Sequence, residues 1–177
     1  MTEPAVVRVW LSLGSNIDRQ RHITQALHDL KAQFGELVIS RVYESEAVGF
    51  DGESFYNLVV GIETGLPAET LAQRLRGIED ANGRVRSGDK YTPRTLDIDL
   101  LTYGDQVIDT PKLQLPRDEI TRYAFVLLPL SEVAGEEMHP RSGKNYQALW
   151  DVFEGADQRP WPVDDQPADR KEKTPAP

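Results

Sequence analysis

The chain has 177 residues, with 20 Lys and Arg against 29 Asp and Glu, a formal net charge of −9. The length predicts one domain with a sizeable core, the charge disfavours nucleic-acid backbones, and the lack of cysteine excludes disulfides, thiolate zinc sites and a cysteine nucleophile. His22, His28 and His139 are too few and too scattered for a histidine metal site, and no apolar run nears the ~20 residues that span a bilayer, so a cytoplasmic protein acting on small molecules is expected.

Val6–Leu13 (VVRVWLSL) alternates its apolar residues with period two and stops at Gly14-Ser15-Asn16, as a strand running into a turn does. From Arg19 to Phe34, Ile23, Ala26, Leu27, Leu30 and Phe34 recur at helical spacing, and Gly35 stands where a helix-ending glycine belongs. Leu37–Tyr43 and Tyr56–Thr64 read as strands joined by a loop over Ala47–Ser54. A second helix is expected from Pro67 as its first residue to Asn82-Gly83, with Leu71, Leu75 and Ile78 as its stripe and Glu79 at the stripe's edge.

Leu96–Tyr103 reads as a strand, Gly104-Asp105 as a hairpin turn and Gln106–Ile108 as the return strand. Helices are expected over Ala124–Ala134 and Tyr146–Phe153. After Gly155 the chain is proline-rich and charged, so residues 1–155 are expected to form the domain and 156–177 a disordered tail, with Trp161 as a residue that would dock on the body. Nothing in that tail matches a site, so its removal is expected to change activity little. The order βαββαβ predicts an α+β fold: a ferredoxin-like α/β sandwich with a mainly antiparallel central sheet and helices on one face or both.

The stretch Arg84–Asp99, RVRSGDKYTPRTLDID, sets a basic loop against an acidic strand. Alternation turns Leu96, Ile98 and Leu100 one way and Asp97, Asp99 and Leu101 the other, with the two aspartates rooted ~7 Å apart. That spacing lets two carboxylates converge on one Mg²⁺ or on a pair of ions. A wet strand face would also accept such a pair, but aspartate is a poor strand former among these leucines and calls for neutralising cations. Arg84, Arg86, Lys90 and Arg94 lie just upstream and match phosphate oxygens; together the features favour a nucleoside triphosphate site. The chain has no Gly-x-x-x-x-Gly-Lys-[Ser/Thr] run, since Met138 stands where the first glycine would precede Gly143-Lys144.

Over Val6 to about Phe153 the chain resembles the 6-hydroxymethyl-7,8-dihydropterin pyrophosphokinase family of folate synthesis. The resemblance rests on Gly14-Ser15-Asn16, on Phe55-Tyr56-Asn57, on Ile78-Glu79 followed by Gly83-Arg84-Val85-Arg86, and above all on Pro93-Arg94-Thr95-Leu96-Asp97-Ile98-Asp99. It implies transfer of pyrophosphate from ATP to the pterin hydroxymethyl group with release of AMP, on the ferredoxin-like fold and in a monomer. It implies further that Asp97 and Asp99 hold two Mg²⁺ ions and that Arg84 and Arg94 are catalytic. Glu79, Arg86, Tyr91, Ile98, Lys112, Leu113, Arg117 and Arg122 would stand on the ATP side, and Ser45, Val48, Phe55, Asn57 and Phe125 around the pterin.

Read from composition alone, Phe55 and Phe125 fit core packing equally well, and Glu79 would serve as a partner for Arg84 or Arg86. Asn57 in mid-strand favours a functional role. The chain departs from the family at Arg117 in place of a histidine, Tyr123 in place of an arginine with Arg122 displaced by one, Tyr91 for a tryptophan, Thr92 for a glycine, and Glu46-Ala47 for a proline pair. Two rivals follow: a divergent paralogue binding Mg²⁺–ATP with another pterin or low turnover, and a non-enzymatic binding module on the same fold.

Overall fold

The computed structural model describes residues 5–46, 54–83, 96–155, 158–163 and 166–167. In chain order it contains β1 (Val7–Ser15), α1 (Arg19–Phe34), β2 (Val38–Ile39), β3 (Tyr43–Ser45), β4 (Phe55–Thr64), α2 (Ala68–Ala81), β5 (Asp97–Tyr103), β6 (Ile108–Asp109), β7 (Gln114–Leu115), α3 (Glu119–Arg122), α4 (Ala124–Ala134), α5 (Tyr146–Asp151) and β8 (Trp161–Pro162). The main sheet runs β5-β1-β4-β3-β8, with β2 also on β4, and its pairings are antiparallel. Taking β2 and β3 as one interrupted strand, β1-α1-β2/3-β4-α2-β5 gives the fold expected from the βαββαβ order.

Alternation along the strands sends two sets of side chains to opposite faces. On one face Val9, Leu11, Leu13, Leu58, Val60, Ile62, Ile98 and Leu100 pack beneath the stripes of α1 and α2, Ile23, Leu27, Leu30, Leu71, Leu75 and Ile78. On the other, Trp10, Val59 and Leu101 lie beneath α4 and α5, meeting Val126, Leu127, Leu130 and Tyr146. Helices therefore cover both faces. Gly61 lies opposite Trp10 in the ladder, and a Cβ there would come within 2.5 Å of the indole, so the ring needs a residue without a side chain.

Several expectations are corrected. The single strand read over Leu37–Tyr43 is two, because Ile39 pairs with Val60 but Tyr43 with Asn57, which leaves one extra residue between them. Ser40 bridges the interruption: its N–H donates to the Val59 carbonyl (2.9 Å) and its hydroxyl accepts from the Val59 N–H (2.8 Å). Past Gly104 no hairpin returns along β5; Ile108 and Asp109 pair instead with Leu115 and Gln114. Pro67 sits one position ahead of α2, at φ −58° and ψ 149°, and α5 ends at Asp151. Trp161 and Pro162, expected within a disordered tail, pair with Glu44 and Tyr43 and form an outer strand on β3.

Candidate active site

At one end of the α4 face the sheet carries an unusual row. Gly14 of β1 pairs with Asn57 on one side and with Asp97 on the other; two positions back, Ser12 pairs with Val59 and Asp99. Glycine and serine in the middle of the row leave a depression between the asparagine and the carboxylates. The depression is part of a cavity of about 270 Å³ lined by Ser12, Gly14, Ser45, Glu46, Phe55, Asn57, Asp97, Asp99, Leu101, Glu119, Tyr123, Phe125 and Val126.

Asn57 is buried, and its Nδ2 donates to the buried Ser45 hydroxyl at 2.6 Å, which fixes the amide's orientation. Phe55 stands on the β4 side of the cavity. Phe125, at the start of α4, also lines the cavity and stacks on Tyr123 with ring centroids 5.1 Å apart and 20° between planes. An apolar slot with one polar reader at its edge suits a flat heterocycle.

Asp97 and Asp99 are partly exposed on the cavity side of β5, while Ile98 between them is buried on the opposite face. Two oxygen-donor carboxylates open to solvent suit Mg²⁺, a hard cation that takes its remaining ligands from water and phosphate. Arg117 reaches in from the segment after β7: its guanidinium lies 3.6 Å from Asp99 and also bonds Glu119, while its N–H donates to the Leu101 carbonyl at 2.9 Å. Burial works against its charge, but Asp99 and Glu119 outweigh that, and its pKa is raised above the usual arginine value. Asp118 is in turn paired with Arg122 at 3.1 Å. Asp118 and Glu119, the two acidic residues that follow Arg117, therefore each have a basic partner.

The expected site residues divide by place. Asp97, Asp99, Ser45, Phe55, Asn57 and Phe125 share the cavity. Ile98, expected on the ATP side, puts its side chain in the core instead, because it alternates with the aspartates. Lys112 is exposed on the turn between β6 and β7, Leu113 packs against the larger core, and Arg122 lies over the Tyr123 ring at 5.3 Å; none of the three lines the cavity. Val48, Arg84, Arg86, Tyr91 and Arg94 lie outside the described residues. Sequence reasoning missed Ser12, Gly14, Leu101 and Tyr123 as lining residues. The first two are small residues whose importance shows only once the strands are in register.

Glu79 is 5% exposed, and its carboxylate accepts from the N–H of Ile98 at 2.8 Å. It thus holds the open edge of β5 at the peptide between the two aspartates. Glu79→Ala leaves a buried N–H without this acceptor and is expected to cost about 2 kcal/mol, a fall in Tm of about 4–8 °C for a chain of this size. Glu79→Gln keeps an acceptor oxygen and is expected to lose less than half as much; equal melting of all three proteins would refute the anchoring role.

The chain is similar to known proteins over most of its length. Residues 10–135 match the family model described as 7,8-dihydro-6-hydroxymethylpterin-pyrophosphokinase. The chain is 35% identical to the 2-amino-4-hydroxy-6-hydroxymethyldihydropteridine pyrophosphokinase of Pseudomonas aeruginosa over 161 residues, 88% of this chain and 98% of that protein. It is 37% identical to the protein of the same name from Aquifex aeolicus over 134 residues, covering 75% and 83% of the two chains. The fold also matches the crystal structure of Plasmodium falciparum HPPK-DHPS with pteroate, at a TM-score of 0.68 and 16% identity, over 86% of this chain and 43% of that one. With the carboxylate pair, the asparagine and the aromatic slot in one cavity, the chain belongs to the 7,8-dihydro-6-hydroxymethylpterin-pyrophosphokinase family.

Proposed function

We propose that this cavity transfers pyrophosphate from ATP to the hydroxymethyl oxygen of 6-hydroxymethyl-7,8-dihydropterin, giving AMP and the pterin diphosphate. As a family member the chain is an ATP-dependent pyrophosphokinase of folate synthesis. The observation that carries the residue-level reading is the row Asn57–Gly14–Asp97. With two strand spacings between its ends, the row spans roughly 10 Å, enough for a fused two-ring heterocycle lying over Gly14. Its polar edge then meets Asn57, its faces meet Phe55 and Phe125, and its hydroxymethyl end reaches Asp97 and Asp99.

In the reaction the hydroxymethyl oxygen gives up its proton to solvent and forms a bond to the β-phosphorus. The bond from that phosphorus to the oxygen bridging the α-phosphate breaks, and AMP leaves with the electron pair. Asn57, fixed by Ser45, orients the acceptor, and the aromatic walls keep water from competing for the phosphorus. Arg117, close to Asp99, supplies positive charge beside the phosphates, and Arg84 and Arg94 are assigned the same work on the departing AMP by their match to the family motif. Asp97 and Asp99 would hold two Mg²⁺ ions, which when bound neutralise triphosphate charge and lower the proton affinity of the acceptor hydroxyl. The protein is read as a cytoplasmic monomer; among the described residues no helix is long and apolar enough to cross a membrane.

The test is AMP release from Mg²⁺–ATP with and without 6-hydroxymethyl-7,8-dihydropterin, beside other pterin alcohols. Pterin-dependent AMP formation, fastest with this alcohol, is expected. AMP formation that ignores the pterin, or prefers another alcohol, would overturn the assignment.

A further inference from the structure

The segment after α5 reaches both walls of the slot. The Gln158 side-chain oxygen accepts from the N–H of Ala124 at 3.4 Å, at the start of α4 and next to Phe125. Three residues on, Trp161 pairs with Glu44 in β3, and its Nε1 donates to Glu44 Oε2 at 3.2 Å. The Val163 N–H donates to the Val42 carbonyl at 3.1 Å. Gln166 Oε1 then accepts from the Val42 N–H at 2.7 Å, while its Nε2 donates to the carbonyls of Val42 (3.2 Å) and Val163 (2.6 Å).

The strand held in this way is short. β3 has three residues, is out of register with β2, and ends in Ser45, the partner that orients Asn57. Glu44, on its other face, also accepts from the Ser54 hydroxyl and from Arg19 (3.0 Å), and Arg19 donates to the Ser54 carbonyl (3.0 Å) and lies 4.1 Å over the Tyr56 ring. Trp161 therefore joins the carboxylate that ties the end of β3 to the start of β4. The Ser54 hydrogen bond, joined by Arg19 and Trp161 and opposed by burial, holds that carboxyl below its usual range.

We infer that residues 158–163, together with Gln166, act as a positioning strap that fixes the separation between the aromatic wall on α4 and the Ser45–Asn57 wall, and so sets affinity for the pterin. The inference rests on the pterin reading of the cavity. Gln158 acts through the α4 wall, and Trp161 and Gln166 act through β3, on the side of the sheet away from β5 with Asp97 and Asp99, so the strap acts on the pterin and not on ATP. Preorganisation of this kind shows in affinity because a wall left to move must be ordered again on binding.

The experiment measures dissociation constants for 6-hydroxymethyl-7,8-dihydropterin, in the presence of a non-hydrolysable ATP analogue, and for the analogue alone. It compares the full chain, a chain ending at Gly155, and the variants Gln166→Ala and Trp161→Phe, each checked by thermal unfolding. Truncation is expected to weaken pterin binding about tenfold or more and Gln166→Ala about threefold or more, with the analogue's constant within about twofold throughout. Folded point variants with unchanged pterin affinity would overturn the strap, and so would parallel loss of both ligands, which marks a general structural role. A full chain that binds the analogue but no pterin overturns the substrate reading and the inference with it; the wild-type control separates that outcome from failure of the strap alone.

Discussion

Asp97→Ala is expected to lower kcat/KM by about 10³-fold, since losing a metal ligand forfeits several kcal/mol of charge stabilisation at the reacting phosphates. The variant is expected to keep its fold, because this side chain lines the cavity and not the core. Asp97 and Asp99 share one cavity with Glu46 and Glu119, and both are only partly buried on the side of β5 away from the larger core. Removing one carboxylate therefore takes away a metal ligand without opening a hole in the core. Asp99→Ala is expected to match the loss of activity, and it also takes from Arg117 a carboxylate that lies 3.6 Å away. The measurements are steady-state kinetics with Mg²⁺ in excess and thermal melts of the three proteins. Near wild-type turnover in Asp97→Ala would remove the carboxylate pair from the chemistry, and loss of the cooperative melt would show that it carries structure instead.

That combination follows from how the strand could be read. In LDIDLL the alternation places both aspartates on one face before any coordinates are seen, and β5 bears this out with Ile98 in the core. The bounds of α1 were equally legible from its apolar residues at helical spacing, and α4 has the bounds expected for it. Features without a local signature were not. The bulge at Ser40 comes from a hydroxyl replacing part of a ladder, and β6, β7 and β8 are two residues long, too short for any period to show. β8 also sits in a proline-rich stretch whose composition argues for disorder, and contacts distant in sequence, its pairing with β3 among them, fix it. Tyr123 reads in the sequence as a missing arginine; in the fold its ring extends the Phe125 wall. Ser12 and Gly14 are conspicuous only in register with Asn57, Asp97 and Asp99, because a glycine matters here for the space beside it.

Gly14→Val tests that space directly and is expected to weaken pterin binding by about 100-fold, the effect of forcing ~3 kcal/mol of overpacking into the slot. A Cβ at Gly14 would lie 3.2 Å from Asn57 Oδ1 and 3.9 Å from Phe55 Cδ1, so the added methyl groups project where the heterocycle is placed. The backbone does not forbid the change: Gly14 is not among the glycines at positive φ, and valine is a good strand residue. Gly14→Ala is expected to fall between, with about a tenfold loss, since its single carbon must push against the Asn57 amide that Ser45 holds in place. Affinity for a non-hydrolysable ATP analogue with Mg²⁺ is expected to stay within about twofold in both variants, because the phosphates are placed beyond Asp97 and the pterin alone lies over the glycine. Calorimetry with each ligand in turn decides the matter. Loss of ATP and pterin binding together would mean that valine has shifted β1 and with it the aspartates, whereas wild-type pterin affinity in Gly14→Val would place the ring elsewhere and separate Asn57 from substrate recognition.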